Sequence, residues 1–188
     1  MKMKNIIFII LALVIGVAET LGQTYLPNAG ATLENGTIYT ATTKTINGTL
    51  TVPTNGTVTI YIPSGVTLTI NGTNGTNSTG VSLSNLTGTV GDPGYPAINV
   101  PQSATLIITG EGKLIAKGGN GGNGAPGLTG NGGSGAAPAI GGIGGRGGKG
   151  WDSSDNKNGE DGESMGNVYI LGNVIVEATQ GSQGERHE

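Results

Sequence analysis

A short acidic segment holds the side chains best suited to bind a metal ion. The segment reads WDSSDNKNGEDGES and spans residues 151–164. Its carboxylates include Asp152, Asp155, Asp161 and Glu163, and such oxygens are the ligands that Ca²⁺ prefers. These four residues are therefore calcium candidates, and calcium is the single cofactor that the sequence suggests. The segment lacks the EF-hand spacing, and a solvated polar turn is the alternative interpretation that we prefer.

Acid–base catalysis is poorly supported by the residue types. The single histidine, His187, lies beside Arg186 at the end of the chain. Glycosidases hold two carboxyl groups at a fixed separation on rigid elements, whereas most acids here share one loop. We therefore predict a protein that is not an enzyme and assign no catalytic residue. A polysaccharide-active β-helix enzyme, present here as a fragment, is kept as an alternative.

Two features are compatible with sugars. Trp151 is the only tryptophan, and its ring could stack on a sugar or cover the end of a thin core. Seven N-x-[ST] sequons, each a possible N-glycosylation site, start at Asn35, Asn47, Asn55, Asn71, Asn74, Asn77 and Asn85. Because Asn-Gly forms turns and threonine favours strands, the sequons are also explained without any glycan, and we prefer that interpretation.

Three T-x-T pairs raise the possibility of ice binding. They are Thr49/Thr51, Thr57/Thr59 and Thr67/Thr69. On a strand the two side chains of a pair lie about 7 Å apart, and neighbouring chains lie about 4.8 Å apart. A regular grid of this kind, or a polyglycine bundle, would suit an ice surface. The pairs are unevenly spaced, however, and exposed strand positions favour threonine for other reasons, so ice binding remains an alternative.

The first residues indicate export. Lys2 and Lys4 precede an apolar run at residues 6–18, which is typical of a secretory signal peptide and too short to span a bilayer. We predict a signal peptide over residues 1–22 and a secreted or cell-surface protein; an uncleaved anchor is the alternative. The chain has no cysteine and therefore no disulfide bonds. Its net charge of -3 disfavours nucleic acid and anionic lipid as partners.

A proline-marked repeat predicts an all-β fold. VPTNGTVTI starts at Val52, IPSGVTLTI at Ile62 and VPQSATLII at Val100. Each copy reads as a turn followed by a strand that alternates apolar and polar residues. One-sided strands of this type suit a right-handed parallel β-solenoid, or β-helix, with a thin apolar interior. An antiparallel meander or sandwich is the alternative, because Asn47-Gly48 is a hairpin signal.

A glycine-rich stretch, residues 118–150, interrupts the strands. Alanine at Ala136 and Ala139 argues against collagen, and strands on both sides argue against a plain linker. We predict chains that pack side by side in an extended polyglycine-like conformation, anchored by Ala139, Ile140 and Ile143; a disordered loop is the alternative. The predicted organisation is a signal peptide at 1–22, solenoid strands at 23–117, a glycine-rich and acidic excursion at 118–165, returning strands at 166–180 and a disordered tail at 181–188.

Two phrases resemble glycine-rich bacterial cell-surface and secreted β-helix repeat proteins. They are AINVPQSATLIITGEGKLIAKGG and AIGG...GNVYILGNVIVEA, within residues 97–181. The family pattern lacks an acidic insert such as residues 152–163. The resemblance implies an adhesin-like exoprotein. We predict a non-enzymatic structural or adhesive protein, able to self-associate into oligomers or filaments, as in an extracellular matrix, or to contact glycans.

Overall fold

Successive passes of the chain build two β-sheets. The computed structural model describes residues 24–78, 90–124, 134–145 and 161–185. The strands in these ranges are β1 (Thr24–Tyr25), β2 (Ala29–Thr32), β3 (Ile38–Thr40), β4 (Lys44–Thr51), β5 (Thr57–Ile62), β6 (Thr67–Asn71), β7 (Ile98–Asn99), β8 (Thr105–Gly110), β9 (Lys113–Lys117), β10 (Ile140–Gly141), β11 (Asn167–Gly172) and β12 (Ile175–Thr179). Over the same ranges, no helix is long and apolar enough to cross a membrane.

The two sheets are parallel. The first has the order β1-β3-β5-β8-β11, and the second has the order β10-β7-β4-β6-β9-β12, with β2 beside β4. Every pairing between these strands is parallel, and an isolated antiparallel bridge joins Pro101 to Met165. The predicted all-β class is confirmed. The antiparallel meander or sandwich is wrong for the described strands.

The predicted hairpin at Asn47-Gly48 is a corner inside β4. Residues 44–47 of this strand pair with β6, whereas Leu50 and Thr51 pair with β7. Gly48 has a φ of 116°, a value that side chains disfavour, and so redirects the strand without reversing it. A strand that changes partners at a glycine explains why the Asn-Gly signal misled the sequence-based alternative.

The chain visits the sheets in a repeating order, and we call each visit a tier. Tier 1 holds β1 and β2, tier 2 holds β3 and β4, tier 3 holds β5 to β7, tier 4 holds β8 to β10, and tier 5 holds β11 and β12. Equivalent residues of successive tiers are in register, for example Val58, Leu106 and Val168 in the first sheet. The stacking of the tiers therefore places similar side chains above one another.

A thin apolar core lies between the sheets. Val58, Ile60 and Ile62 of β5 are fully buried, and the alternate residues of the strand point outward, as the sequence predicts. Burying each such side chain contributes about 1.5–3 kcal/mol. In tier 5 the same inward positions are open: Ile170 is 52% exposed, although its register partner Ile108 is fully buried.

Glycine-rich chains extend from the second sheet as three layers. Layer 1 consists of residues 72–78 and 90–97, layer 2 of residues 118–124 and 134–139, and layer 3 of residues 180–185. The outgoing chains of the layers continue the register of β6, β9 and β12. They are joined by backbone hydrogen bonds three residues apart, such as Gly75 N–H to Asn120 O and Gly121 N–H to Ser182 O. The layers thus stack as the tiers do.

Each residue of the triplet Gly118-Gly119-Asn120 faces a different neighbour. The Gly118 N–H donates to the carbonyl of Thr179 in β12, and the Gly119 N–H donates to the carbonyl of Tyr95 in layer 1. A Cβ on Gly118 would overlap the carbonyl oxygen of Ala137, and a Cβ on Gly119 would overlap that of Thr73. Only the third position of the triplet has room for a side chain, which is exposed on Asn120.

The neighbouring layers show the same triplet with different residues. Where layer 2 has Gly119 and Gly122, layer 1 has Thr73 and Thr76, and both threonines are exposed. Where layer 2 has Gly118 and Gly121, layer 3 has Gln180 and Gln183, also exposed. At these triplet positions, glycine therefore occurs where another described chain lies against the position, and larger residues occur where none does.

The side-by-side packing predicted for the glycine-rich stretch is confirmed within residues 118–124 and 134–145. Of the predicted anchors, Ala139 is buried and Ile140 packs against the core in β10, which falls inside the predicted excursion. Ile143 is half-buried and lies outside the core cluster, so its predicted anchoring role is wrong. Residues 181–185 of the predicted tail lie in layer 3, where the N–H groups of Gly181 and Gly184 donate to layer 2.

A glycine-to-alanine substitution in layer 2 tests this packing. We expect Gly119→Ala to lower the free energy of unfolding by about 1–3 kcal/mol, because its methyl group would force two backbones apart. Thr73→Ala, at the equivalent position of layer 1, is the matched control and should change stability by less than about 0.5 kcal/mol. Urea denaturation measures both. Equal effects of the two substitutions would contradict the layered arrangement.

Candidate functional site

The third residues of the glycine triplets form a two-dimensional polar array. We define the polar array as Asn71, Asn74 and Asn77 on the first chain, Lys117, Asn120 and Asn123 on the second, and Thr179, Ser182 and Glu185 on the third. The three chains are in register, and the side chains are exposed or half-buried. The array is continuous with the outward face of the second sheet.

Asparagine side chains fasten each chain of the array to the next. Asn74 Oδ1 accepts the Asn120 N–H at 2.9 Å, and Asn120 Oδ1 accepts the Ser182 N–H at 2.8 Å. Three residues further along, Asn77 and Asn123 make the same bonds to the following chain, at 2.9 and 2.8 Å. The amides are therefore held in one orientation by the backbone.

This bonding leaves hydrogen-bond donors at the surface. Each Oδ1 is used by a backbone N–H, and no described residue accepts from the Nδ2 groups of Asn74, Asn77, Asn120 and Asn123. A primary amide nitrogen offers two N–H donors and accepts nothing. The array thus presents rows of fixed donors to an external molecule.

A groove runs along one edge of the array. It encloses about 570 Å³ and is lined by Asn47, Gly48, Asn71, Gly72, Thr73, Asn74, Lys117, Gly118 and Asn120. Asn71 Nδ2 donates to Asn47 Oδ1 at 2.9 Å on its floor. The groove arises because β4 turns its corner at Gly48, so that tier 2 sends no chain outward beneath layer 1.

The charged residue that lines the groove is Lys117. Lys117 is exposed and forms no ion pair with a described residue, whereas Lys113 pairs with Glu177 at 2.8 Å. Lys44 is in register with the buried Leu68, at an inward position of the second sheet, and donates to the Leu26 carbonyl at 2.6 Å; partial burial lowers the pKa of its ammonium group. Lys117 is therefore the cation available to a ligand in the groove.

The structure describes only part of the predicted acidic site. Asp152, Asp155 and Trp151 lie outside the described residues, as do Arg186 and His187. Asp161 and Glu163 are both exposed. Over the described ranges, no group of three His, Cys, Asp or Glu side chains could hold a metal ion. Calcium binding by the acidic segment stays a prediction.

The described sequon asparagines have structural roles in turns, in strands or in the polar array. Asn35 Oδ1 accepts the Thr57 N–H at 2.9 Å, and Asn55 lies in a turn with a φ of 58°. Asn47, Asn71, Asn74 and Asn77 line the groove or the array, and Asn85 lies outside the described residues. Glycosylation of any of them stays a prediction.

The T-x-T pairs do not stack on one face. Thr57 and Thr59 lie in the first sheet, Thr67 and Thr69 lie in the second, and the third pair lies beyond the corner of β4. Their neighbours also differ, since Thr59 is in register with Ile38 and Ile107. These described strands form no regular threonine grid.

The polar array was missed by the sequence reasoning, which treated its asparagines as sequons. The signal that could have revealed it is the three-residue period of asparagine after glycine pairs, at Asn120 and Asn123, repeated at Asn71, Asn74 and Asn77. A period of three is neither that of a strand nor that of an α-helix, and it is typical of extended polyglycine-like chains.

Removing one asparagine oxygen tests its fastening role. We expect Asn120→Ala to lower the free energy of unfolding by about 0.5–1.5 kcal/mol, because the Ser182 N–H loses its acceptor. Ser182→Ala is the control, since its side chain accepts no hydrogen bond from a described residue. Urea denaturation and amide exchange at residue 182 provide the measurements. An unchanged exchange rate at Ser182 would contradict this role.

Comparison with known proteins assigns the site to no family. No protein-family model, no curated protein and no solved structure matches the chain. The function is therefore inferred from the geometry of the array and the groove.

Proposed function

We propose that the chain is a secreted or cell-surface β-solenoid protein with a structural or adhesive role, which contacts glycans through the polar array. The observation that carries this proposal is the set of oriented amide donors on three in-register chains. It also agrees with the resemblance to glycine-rich exoproteins and with the predicted signal peptide. Of the two bases for ice binding, the described strands lack the regular threonine grid and only the packed glycine chains remain, while the enzyme interpretation has no comparable support.

The solenoid part of the proposal is supported by the order in which the strands pair. In each tier a first-sheet strand is followed by a second-sheet strand, and both pair with the equivalent strands of the tiers before and after. Such nearest-neighbour stacking is how solenoids bury a continuous thin core. A right-handed path is the one that parallel crossover connections nearly always take.

The glycan part is supported by the chemistry of the array. Sugars present many hydroxyl oxygens along an extended molecule, and each can accept a hydrogen bond. Donors that are already oriented lose little conformational freedom on binding, which favours affinity. The Asn amides are held in this way by bonds of 2.8–2.9 Å to the backbone. An extended glycan lying across the three chains fits this surface.

A glycan array probed with the purified protein tests the function. Asn120→Asp keeps the oxygen that accepts the Ser182 N–H but removes the amide donor, and we expect it to weaken binding about fivefold or more. Asn35→Asp is the matched control, because Asn35 makes the same kind of bond away from the array. Binding that is absent, or equal in both variants, would contradict glycan contact. Hydrolysis of a polysaccharide panel would instead favour an enzyme.

Self-association is a second proposal, favoured by the open face of tier 5. β11 and β12 each pair on one side only among the described strands, and Ile170 and Tyr169 are about half exposed. Unpaired strand edges with apolar side chains promote association. We expect light scattering to show concentration-dependent oligomers that Ile170→Lys reduces and Ile107→Lys, on the outward face of tier 4, does not. A strictly monomeric profile at high concentration would contradict this proposal.

A further inference from the structure

Two backbone N–H groups, one in layer 2 and one in layer 3, show which kind of oxygen binds at the array positions. The Asn120 N–H bonds to the carboxamide oxygen of Asn74 at 2.9 Å, and the Ser182 N–H bonds to that of Asn120 at 2.8 Å. In both cases the acceptor comes from the preceding layer. The fold therefore repeats one local geometry, in which a backbone N–H at this triplet position binds an sp² oxygen.

Layer 1 has the equivalent N–H groups, and they have no acceptor in the described part of the chain. Asn74 is in register with Asn120, but tier 2 contributes no layer below it because β4 turns its corner at Gly48. Among the described residues, nothing accepts a hydrogen bond from the Asn74 N–H. Asn77, which is in register with Asn123, is in the same situation. The first layer thus lacks the carboxamide oxygens that the inner layers have.

The groove lies beside layer 1, where a preceding layer would supply those oxygens. Asn47 and Gly48 of tier 2 line one side of it, and Thr73 and Asn74 of layer 1 line the other. The Thr73 hydroxyl has no hydrogen-bond partner among the described residues, and Lys117 lies on the groove wall. A ligand in the groove would therefore meet a backbone N–H, a hydroxyl group and an ammonium group.

We propose that the groove binds a carbonyl-type oxygen of a glycan, from an acetamido or a carboxylate group. This oxygen accepts the Asn74 N–H, just as Asn oxygens accept the equivalent N–H groups of layers 2 and 3. This inference rests on the proposed glycan contact and names the group that is recognised. In layers 2 and 3 the acceptor is a neutral carboxamide oxygen, and an N-acetylated amino sugar carries an amide oxygen of the same kind. Lys117 gives a carboxylate oxygen an additional charge interaction.

The ligand is expected to be a polymer. The Asn77 N–H follows the Asn74 N–H by three residues, which is about 9 Å in an extended polyglycine-like chain. Two such N–H groups at this spacing suit a glycan that presents oxygen acceptors repeatedly along its length. A single sugar reaches only one of them, so we expect oligosaccharides to bind more tightly than monosaccharides.

Titration of the ¹⁵N-labelled protein tests the inference. The probes are an N-acetylglucosamine hexamer, its de-acetylated glucosamine counterpart and an oligogalacturonate. We expect the Asn74 amide resonance to shift with a carbonyl-bearing probe, while the Asn120 amide, which already has its acceptor, shifts little. Thr73→Val should weaken binding about fivefold, and Thr69→Val, outside the groove, should not.

The probes distinguish the two sources of the oxygen. A shift caused by the acetylated hexamer and not by its de-acetylated form identifies an acetamido ligand. A shift caused by oligogalacturonate, lost in Lys117→Gln, identifies a carboxylate. If neither probe shifts the Asn74 amide, or if the de-acetylated hexamer shifts it equally, the inference is wrong. Glycan-array binding that depends on Asn120 would then still support the proposed function, whereas the absence of any binding would contradict both.

Discussion

Close contact between in-register backbones is the constraint on which this structure depends. The strands meet this constraint in the ordinary way, through parallel ladders that stack Val58 on Leu106 and Val168. The glycine layers meet it without β-ladders, because at Gly118 and Gly119 even a methyl group would overlap a neighbouring carbonyl oxygen. Both parts of the chain therefore follow one register, and the layers are lateral extensions of the tiers.

The same constraint creates the candidate site. When two of every three positions must be glycine to admit neighbouring chains, the third position carries all the side chains of that surface. Asparagine suits this position because its oxygen satisfies the next backbone N–H while its nitrogen remains at the surface. The array is thus both a fastening between layers and a display of donors. The groove marks the edge where the layers begin, and there the Asn74 and Asn77 N–H groups of layer 1 have no acceptor among the described residues.

Sequence patterns predicted much of the strand architecture. Alternation placed Val58, Ile60 and Ile62 in the core, and the proline-marked repeats located β5, β6 and β8. The uneven spacing of the repeats has a structural reason. The copies at Val52 and Val100 precede first-sheet strands, whereas the copy at Ile62 precedes a second-sheet strand. Layer 1 lies between the second and third copies and lengthens that interval.

The site was harder to predict, for physical reasons. Which residues share the array depends on the register between chains far apart in sequence, as with Asn74, Asn120 and Ser182. Short strands such as β7 and β10 also carry no periodic signal, because two residues cannot display alternation. The Asn47-Gly48 corner is local, but its sequence is equally suited to a hairpin. Its outcome is decided by the two different partners of β4.

Native-state hydrogen exchange measured by NMR tests the central claim most directly. If the glycine chains form packed layers on the tiers, the amides of Gly118, Gly119 and Asn120 should exchange far more slowly than those of an unfolded chain. The Asn74 amide, at the equivalent position of layer 1, should exchange rapidly in the absence of a ligand. Exchange of all amides in residues 118–124 within seconds, as fast as that of Asn74, would contradict the layered structure.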